Sequence, residues 1–513
     1  MKQPNYPSLY QINTRVWLTE LSRKLGRRAT LDDIPDAELD QLAEKGFDWI
    51  WFLSVWSTGK AGRKVSCENP GWRQEFEETL PDLCEEDIAG SGFAITSYTV
   101  NPDLGGDEAL ARLRVRLRKR GLKLMLDFVP NHMAPDHPWV VEHADYFVPG
   151  TMDDLERSPQ NYTQVTCKQG DLVFAYGRDP YFSGWPDTLQ LDYSNPATQD
   201  AMIGELLRIS DQCDGVRCDM AILVLPEVFE KTWGRRAQPF WPIVTKTIRE
   251  KNPDFLFMAE VYWDLEWTLQ QQGFDYTYDK RLYDRLRERN MRTIREHFYA
   301  EPEYQLKLAR FLENHDEPRA ASTFENPVHK ASAVITFLCP GLRFFHQGQF
   351  EGRKKRISPH LVRAPHEQVD TDLQTFYFDL LDVIHKPIFR NGQWRLLECM
   401  PAWDRNGSCD SFLAFAWEGT NGGRALVTVN YAPHASQCYV RLPFSEFAEQ
   451  PVRFKDLMSP ALYDRKGNEV LSTGMYLDLP AWGYHIFELS VPESALSEKR
   501  SVMPAPRHDL IPA

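Results

Sequence analysis

Residues 47–53 read Phe47-Asp48-Trp49-Ile50-Trp51-Phe52-Leu53. Six of these seven side chains are apolar, with none of the alternation that a half-solvated strand shows, so the run predicts a strand covered on both faces. Such strands belong to parallel sheets flanked by helices. A helical pattern precedes the run at Ile34 to Glu44, and a strand pattern precedes that at Leu9 to Leu18. On the other side, residues 107–120 carry Leu110, Leu113 and Leu117 on one face and arginines on the other, as an amphipathic helix does. Further strand patterns lie at Leu122 to Phe128, Gly215 to Asp219, Phe255 to Glu260, Gly273 to Tyr276, Ala309 to Glu313 and Leu342 to Phe345. These make roughly eight alternating β/α units, the number that closes a small parallel barrel.

With 513 residues the chain is too long for one compact core, and a large domain with satellites fits the length. The composition, 42% hydrophobic and 12% aromatic with 15 Trp, is that of a folded protein. Lys and Arg total 59 against 73 Asp and Glu, and the net charge of −14 disfavours nucleic acid as the main partner. The first residues show no basic segment leading into an apolar run, so no secretory signal is expected. No window approaches the length of a membrane span. The nine cysteines are odd in number and scattered without a C-x-x-C pair, which predicts reduced thiols in a cytoplasmic protein. A redox pair of Cys213 and Cys218 is the weaker alternative.

Two connections exceed ordinary βα loops. One runs from Trp56 to Tyr98 and includes an acidic stretch, Glu75 to Asp87. The other, 133–195, is rich in aromatics, Asp and Gly and predicts a small inserted domain. After a helix near Thr371 to His385 the pattern changes to strands at Phe412 to Trp417, Ala425 to Tyr431 and Tyr439 to Leu442, split by Gly, Asn and Pro. A separate antiparallel β domain over 391–490 follows. The barrel then comprises 1–132 and 196–390, and 491–513 is a polar, Pro-bearing tail.

The chemistry-bearing residues fall just after the strand patterns, on the carboxyl-end face where a parallel barrel builds its site. They are Asp127-Phe128-Val129-Pro130-Asn131-His132, Gly215-Val216-Arg217-Cys218-Asp219, Ala259-Glu260-Val261 and Glu313-Asn314-His315-Asp316. Residues two apart on a strand share a face, so Arg217 lies beside Asp219 and is expected to lower its pKa, as suits a nucleophile. Glu260 ends an apolar run, where desolvation raises the pKa and keeps a proton available, as suits an acid. Such a pair is what a retaining glycosidase needs, and Asp316 supplies a third carboxylate to favour an oxocarbenium-like transition state. Taken singly, an Arg-x-Asp is more often a structural ion pair, and a lone Glu or Asn-His-Asp is more often a cap or solvated loop. Four carboxylate-bearing segments in order at successive strand ends shift that balance.

These segments resemble the conserved regions of the α-amylase family, the family 13 glycoside hydrolases. Asp127 to His132 is similar to its D-x-V-x-N-H region, Gly215 to Asp219 to G-x-R-x-D, Glu260 to the region of the catalytic glutamate, and Asn314 to Asp316 to N-H-D. Leu9 to Ile12, Tyr98 to Pro102 and Pro340 to Gly348 extend the resemblance over about residues 9 to 490. It implies an α/β architecture, a (β/α)8 TIM barrel with a small inserted B domain and a C-terminal antiparallel β-sandwich. It implies Asp219 as nucleophile, Glu260 as general acid/base and Asp316 as transition-state stabiliser. Arg217, His132 and His315 would contact the sugar at the cleavage point, Asp127 would support the site from behind, and Phe93 would take the position of a sugar-stacking tyrosine. The implied substrate is an α-1,4-linked glucan or malto-oligosaccharide cleaved by double displacement. A transglycosylase or isomerase on the same framework is the alternative, and a non-catalytic glycan-binding relative is disfavoured by the intact carboxylate trio.

The departures are informative as well. Where calcium-bearing amylases commonly have Lys-His after the nucleophile, this chain has Ile222 and Leu223, which cannot coordinate a hard cation; no metal and no cofactor is expected. Asp127, His132, Asp136 and His137 lack the helical spacing of a transition-metal site. Trp139, Tyr181, Phe182, Trp185, Trp263 and Trp267 lie in or beside the site loops, where aromatic faces suit sugars and ordinary packing is the alternative. Arg353, Lys354, Lys355, Arg356 and Arg363 make the segment after the eighth strand basic: a salt-bridged surface loop, or else a seat for an anionic acceptor or phosphorylated sugar.

Overall fold

The computed structural model describes residues 4–168 and 170–492. Eight parallel strands follow one another around a closed barrel: Ser8–Asn13, Trp49–Leu53, Lys123–Phe128, Gly215–Cys218, Leu256–Ala259, Tyr276–Tyr278, Leu308–Arg310 and Leu342–His346. The last strand closes on the first, with Leu9 beside Phe344 on one edge and beside Trp49 on the other. Trp49 through Leu53 are fully buried, as their unbroken apolar run requires, because helices cover the outer side chains while the inner ones fill the barrel.

The first strand is shorter than the sequence pattern predicts. It ends at Asn13, whose side chain accepts from the Val16 N–H at 3.3 Å and starts the helix Thr14–Leu25. Val16, Trp17, Leu18 and Leu21 are then buried by helical spacing rather than by continuation of the strand. The sixth strand is Tyr276–Tyr278, later than expected, because Gly273 sits at φ 103° in the turn before it. A Cβ on Gly273 would come within 2.5 Å of Thr245 Oγ1, so that turn also depends on close approach.

Both long connections are structured. The first pairs Trp56–Thr58 with Ile95–Val100 and carries the helices Lys60–Glu68 and Pro70–Thr79 between them. This connection buries Phe76, Leu80 and Ile88 against Leu361 of the segment after the eighth strand. That contact is reinforced by the Ala89 N–H to His360 O bond at 2.8 Å, by Arg363 on Asp82 and Asp87, and by an ion pair of Arg356 with Glu75. Within the basic segment Arg356 and Arg363 are salt-bridged, whereas Arg353, Lys354 and Lys355 form no ion pair among the described residues, and the loops that follow the second and eighth strands pack together. The second connection forms a three-stranded antiparallel sheet of Pro149–Gly150, Gly170–Ala175 and Tyr162–Cys167. His132–Met133 pairs with Leu189–Gln190 at its base.

Past the helix Thr371–Ile384 the chain forms an antiparallel domain of a six-stranded and a three-stranded sheet. Phe412, Leu426, Val440, Phe454, Leu477 and Phe487 share its core. Trp417 joins it to the barrel by donating to Leu338 O at 3.0 Å. Residues 493–513, most of the expected tail, lie outside the described residues. Among the described residues no helix is long and apolar enough to cross a membrane, and all nine cysteines are free. Cys213 and Cys218 are fully buried and burial pushes both thiols up, Cys213 to about 12, which leaves them unreactive.

Candidate active site

Arg217 stands at the centre of the barrel's carboxyl end, on the fourth strand, with its side chain fully buried. One arm of its guanidinium donates to Asp219 Oδ1 at 2.7 Å and the other to Glu260 Oε2 at 2.6 Å. Asp316 Oδ2 lies 3.8 Å from the second arm. The rigid fork thus gathers carboxylates from the ends of three strands. Tyr278, Trp51 and Phe93 surround the guanidinium, with the Trp51 and Phe93 rings 5.4 Å and 5.3 Å from its carbon.

Local backbone geometry aims each acid. Asp219 follows the fourth strand and its N–H bonds Phe128 O, extending the ladder by one residue. The next residue, Met220, turns sharply in the left-handed region at φ 41°, and its N–H donates to Glu260 Oε2 at 2.8 Å. A non-glycine residue there is strained, and the strain places a backbone donor on the carboxylate. Tyr262 adds a hydroxyl donor to Glu260 Oε1 at 2.9 Å. Asn314 Oδ1 accepts from the N–H groups of Asp316 and Glu317, both at 2.9 Å, and this turn lifts Asp316 into the mouth. Asp316 remains 38% exposed, whereas Asp219 and Glu260 are nearly enclosed at 8% and 5%.

The environments separate the ionisation of the three acids. Burial pushes Glu260 up to about 7 against the opposing pull of Arg217. Burial also raises Asp219, again opposed by Arg217. The expectation that Arg217 would hold Asp219 below its usual range is thus corrected: the guanidinium is shared between two buried carboxylates, and desolvation wins. For Asp316 burial pushes upward too, but the His315 ring at 3.0 Å and Arg217 outweigh it and bring it down to about 2.

The remaining predicted residues converge on the same place. Asp127 is buried beneath the site, accepting from Trp51 Nε1 at 3.1 Å and from the Ser54 N–H at 2.9 Å. His315 is held by Gln11 Nε2 at 2.8 Å from its Nδ1, and its ring lies against Phe93 and Trp51. His132 is buried beside Trp185, and burial lowers it to about 3, so its ring is neutral. Tyr181 and Trp263 meet edge to face at 5.0 Å on the rim, with Phe182 largely exposed beside them in sequence. Gln11, Trp51, Tyr262 and Tyr278 were not singled out by sequence reasoning. Trp51 sits in the apolar run that identified the second strand, and Tyr262 lies two residues after Glu260, which is the signal that could have found it.

Among the described residues no group of three or more His, Cys, Asp or Glu side chains is placed to hold a metal ion. Asn131 Oδ1 accepts from Gln190 Nε2 at 3.0 Å, Ile222 and Leu223 are buried, and Asp136 accepts from the Ala61 N–H at 3.0 Å.

Fold and site together define a (β/α)8-barrel enzyme with an acidic site at the carboxyl ends of its strands. The alpha amylase catalytic domain model matches residues 37–379, and the chain belongs to that family. It is 24% identical over 361 residues to alpha-amylase MalA of Haloarcula japonica, covering 69% of this chain and 49% of that protein. It is 32% identical over 244 residues to the alpha-1,4-glucan:maltose-1-phosphate maltosyltransferase of Pseudomonas aeruginosa, covering 46% of this chain and 30% of that protein. The chain thus spans about half or less of the length of these curated relatives. In fold it is similar to the maltogenic alpha-amylase AmyB of Thermotoga neapolitana, with TM-score 0.68 and 17% identity over 95% of this chain and 99% of that one.

Proposed function

We propose that the protein is a retaining α-glucan-active enzyme that works by double displacement, with hydrolysis of α-1,4 links in malto-oligosaccharides as its principal reaction. The observation that carries this reading is the single guanidinium of Arg217 spanning Asp219 and Glu260 with Asp316 beside it. Arg217 engages Oδ1 of Asp219, and the other oxygen accepts no hydrogen bond among the described residues, which suits it for attack on the anomeric carbon. Glu260, raised to about 7, holds the proton that the leaving oxygen takes as the glycosyl ester forms. Ionised Glu260 then takes a proton from water, whose oxygen displaces Asp219 and returns the anomeric carbon to its first configuration. Asp316, kept ionised, faces the positive charge that develops on the sugar ring in both steps. Arg217 and His315 orient the acids, and the exposed Tyr181 and Trp263 offer faces for the sugars beyond the cleaved bond.

A second reading, transfer to a sugar hydroxyl in place of water, is favoured by the near enclosure of Asp219 and Glu260, 8% and 5% exposed, which restricts water at the reacting acids. It is also in keeping with the maltosyltransferase resemblance over 244 residues. Incubation with maltose, longer malto-oligosaccharides, sucrose and trehalose, with products resolved by size and anomeric form, tests both. We expect α-anomeric products shorter than the substrate. Products longer than the substrate, or an isomer of equal size, would move the assignment to transfer or isomerisation. A first-formed β-anomer would refute double displacement outright.

A further inference from the structure

A cavity of about 530 Å³ lies behind the loop that carries Phe93, outside the carboxylate site. Its wall is basic in an otherwise acidic protein. Arg15, in the first turn of the helix Thr14–Leu25, is only 6% exposed. Its guanidinium donates to Gly90 O at 2.7 Å and to Thr58 Oγ1 at 3.3 Å, and it forms no ion pair among the described residues. A buried guanidinium without an anion is costly, and desolvation alone lowers it to about 10. Arg63 donates to Ile88 O at 2.8 Å and Glu85 O at 2.9 Å, again without an ion pair among the described residues, and Lys60 adds a third such cation. Arg28 on the same wall is already matched by Asp103, which leaves Glu86 as the acid set against three cations.

Among the described residues no aromatic side chain lines this cavity, so they offer no stacking face to a neutral sugar. Its size is that of a small-molecule site and exceeds what a bare inorganic anion fills. We propose that it binds a small organic phosphate, with the phosphate oxygens on Arg15, Lys60 and Arg63 and the organic part packed against the side chains of Thr19 and Ser22, whose hydroxyls donate to Arg15 O and Leu18 O. The ligand would share donors now held by Ile88 O and Gly90 O, on the strand of chain that leads directly to Phe93 over Arg217. Binding here is separate from the chemistry assigned to Asp219 and is measured without turnover.

The test uses the whole protein in calorimetric titration and thermal melts with inorganic phosphate and glucose 1-phosphate, ionic strength being held with sodium chloride. We expect saturable heat and a rise in Tm with both, glucose 1-phosphate binding the more tightly. Lys60→Gln and Arg63→Gln, both at exposed side chains, should each weaken binding about tenfold, as loss of a charge-assisted contact does, while Lys246→Gln on a distant helix leaves it unchanged. No saturable response to either compound, or a response that Lys60→Gln and Arg63→Gln leave intact, would overturn the proposal. Equal affinity for the two would overturn the organic part and assign the site to the free ion.

Discussion

Replacing Tyr262 by Phe removes one hydroxyl, the donor that lies 2.9 Å from Glu260 Oε1, and leaves the ring in place. A hydrogen bond to an ionised carboxylate contributes about 1.5–3 kcal/mol. Each pKa unit corresponds to about 1.4 kcal/mol of differential interaction. Protonated Glu260 keeps part of this bond because a hydroxyl both donates and accepts, so the differential effect is about one unit. The sign follows from the direction of donation: Tyr262 favours the carboxylate form, and its loss raises the pKa. From about 7 in the native protein, Glu260 should move to about 8 in Tyr262→Phe. If Glu260 must be protonated to release the leaving oxygen, kcat/KM falls as it ionises, and that alkaline limb reports its pKa in the free enzyme. The assay is kcat/KM against pH on a malto-oligosaccharide, with melts on both proteins to show that the fold is retained. An alkaline limb that stays in place or moves to lower pH would refute the assignment of Glu260 as the acid. A shift of the acidic limb alone would place the effect on a different carboxylate.

Asp219→Asn should reduce turnover by about 10⁴-fold with the cooperative fold retained, and activity near the native level would remove Asp219 as nucleophile. Gly92→Ala would set a Cβ 1.9 Å from Ser54 Oγ and 2.4 Å from its Cβ, so the loop must shift and take Phe93 off Arg217. We expect a loss of about 1–3 kcal/mol in urea melts and a fall of about 10- to 100-fold in turnover, and native behaviour in both would show that the position of Phe93 is immaterial. EDTA should leave Tm in place, because Asn131 is already bonded to Gln190 and the residues after Asp219 are apolar; a large loss of Tm would reveal a structural cation.

Much of this architecture is legible in the chain. A strand buried on both faces can use nothing but apolar side chains, which is why Trp49 to Leu53 announces itself, and the acids that follow Val216 and Met258 sit where parallel strands end. What escapes is whatever tertiary placement decides. Arg217 was legible as a neighbour of Asp219, two residues on, but its second carboxylate is 43 residues away, and sharing the guanidinium reverses the expected direction of the Asp219 shift. The first strand is shorter than its pattern because Val16 to Leu18 is as apolar as a strand, and the Asn13 cap that ends it is one side chain. The helices after Thr58 carry no local mark of their partner, which lies beyond residue 349 and reaches them through Arg356 and His360, with Arg363 holding the segment that follows them.

The fork of Arg217 has one more consequence. Four carboxyl groups, those of Asp127, Asp219, Glu260 and Asp316, sit around one permanent cation, so every proton removed from the cluster deepens an electrical deficit that a neutral sugar cannot relieve. A six-membered ring bearing an ammonium nitrogen would relieve it. Such a compound should therefore be held more firmly as alkali is added through the titration of Glu260, up to the point where the amine itself loses its charge.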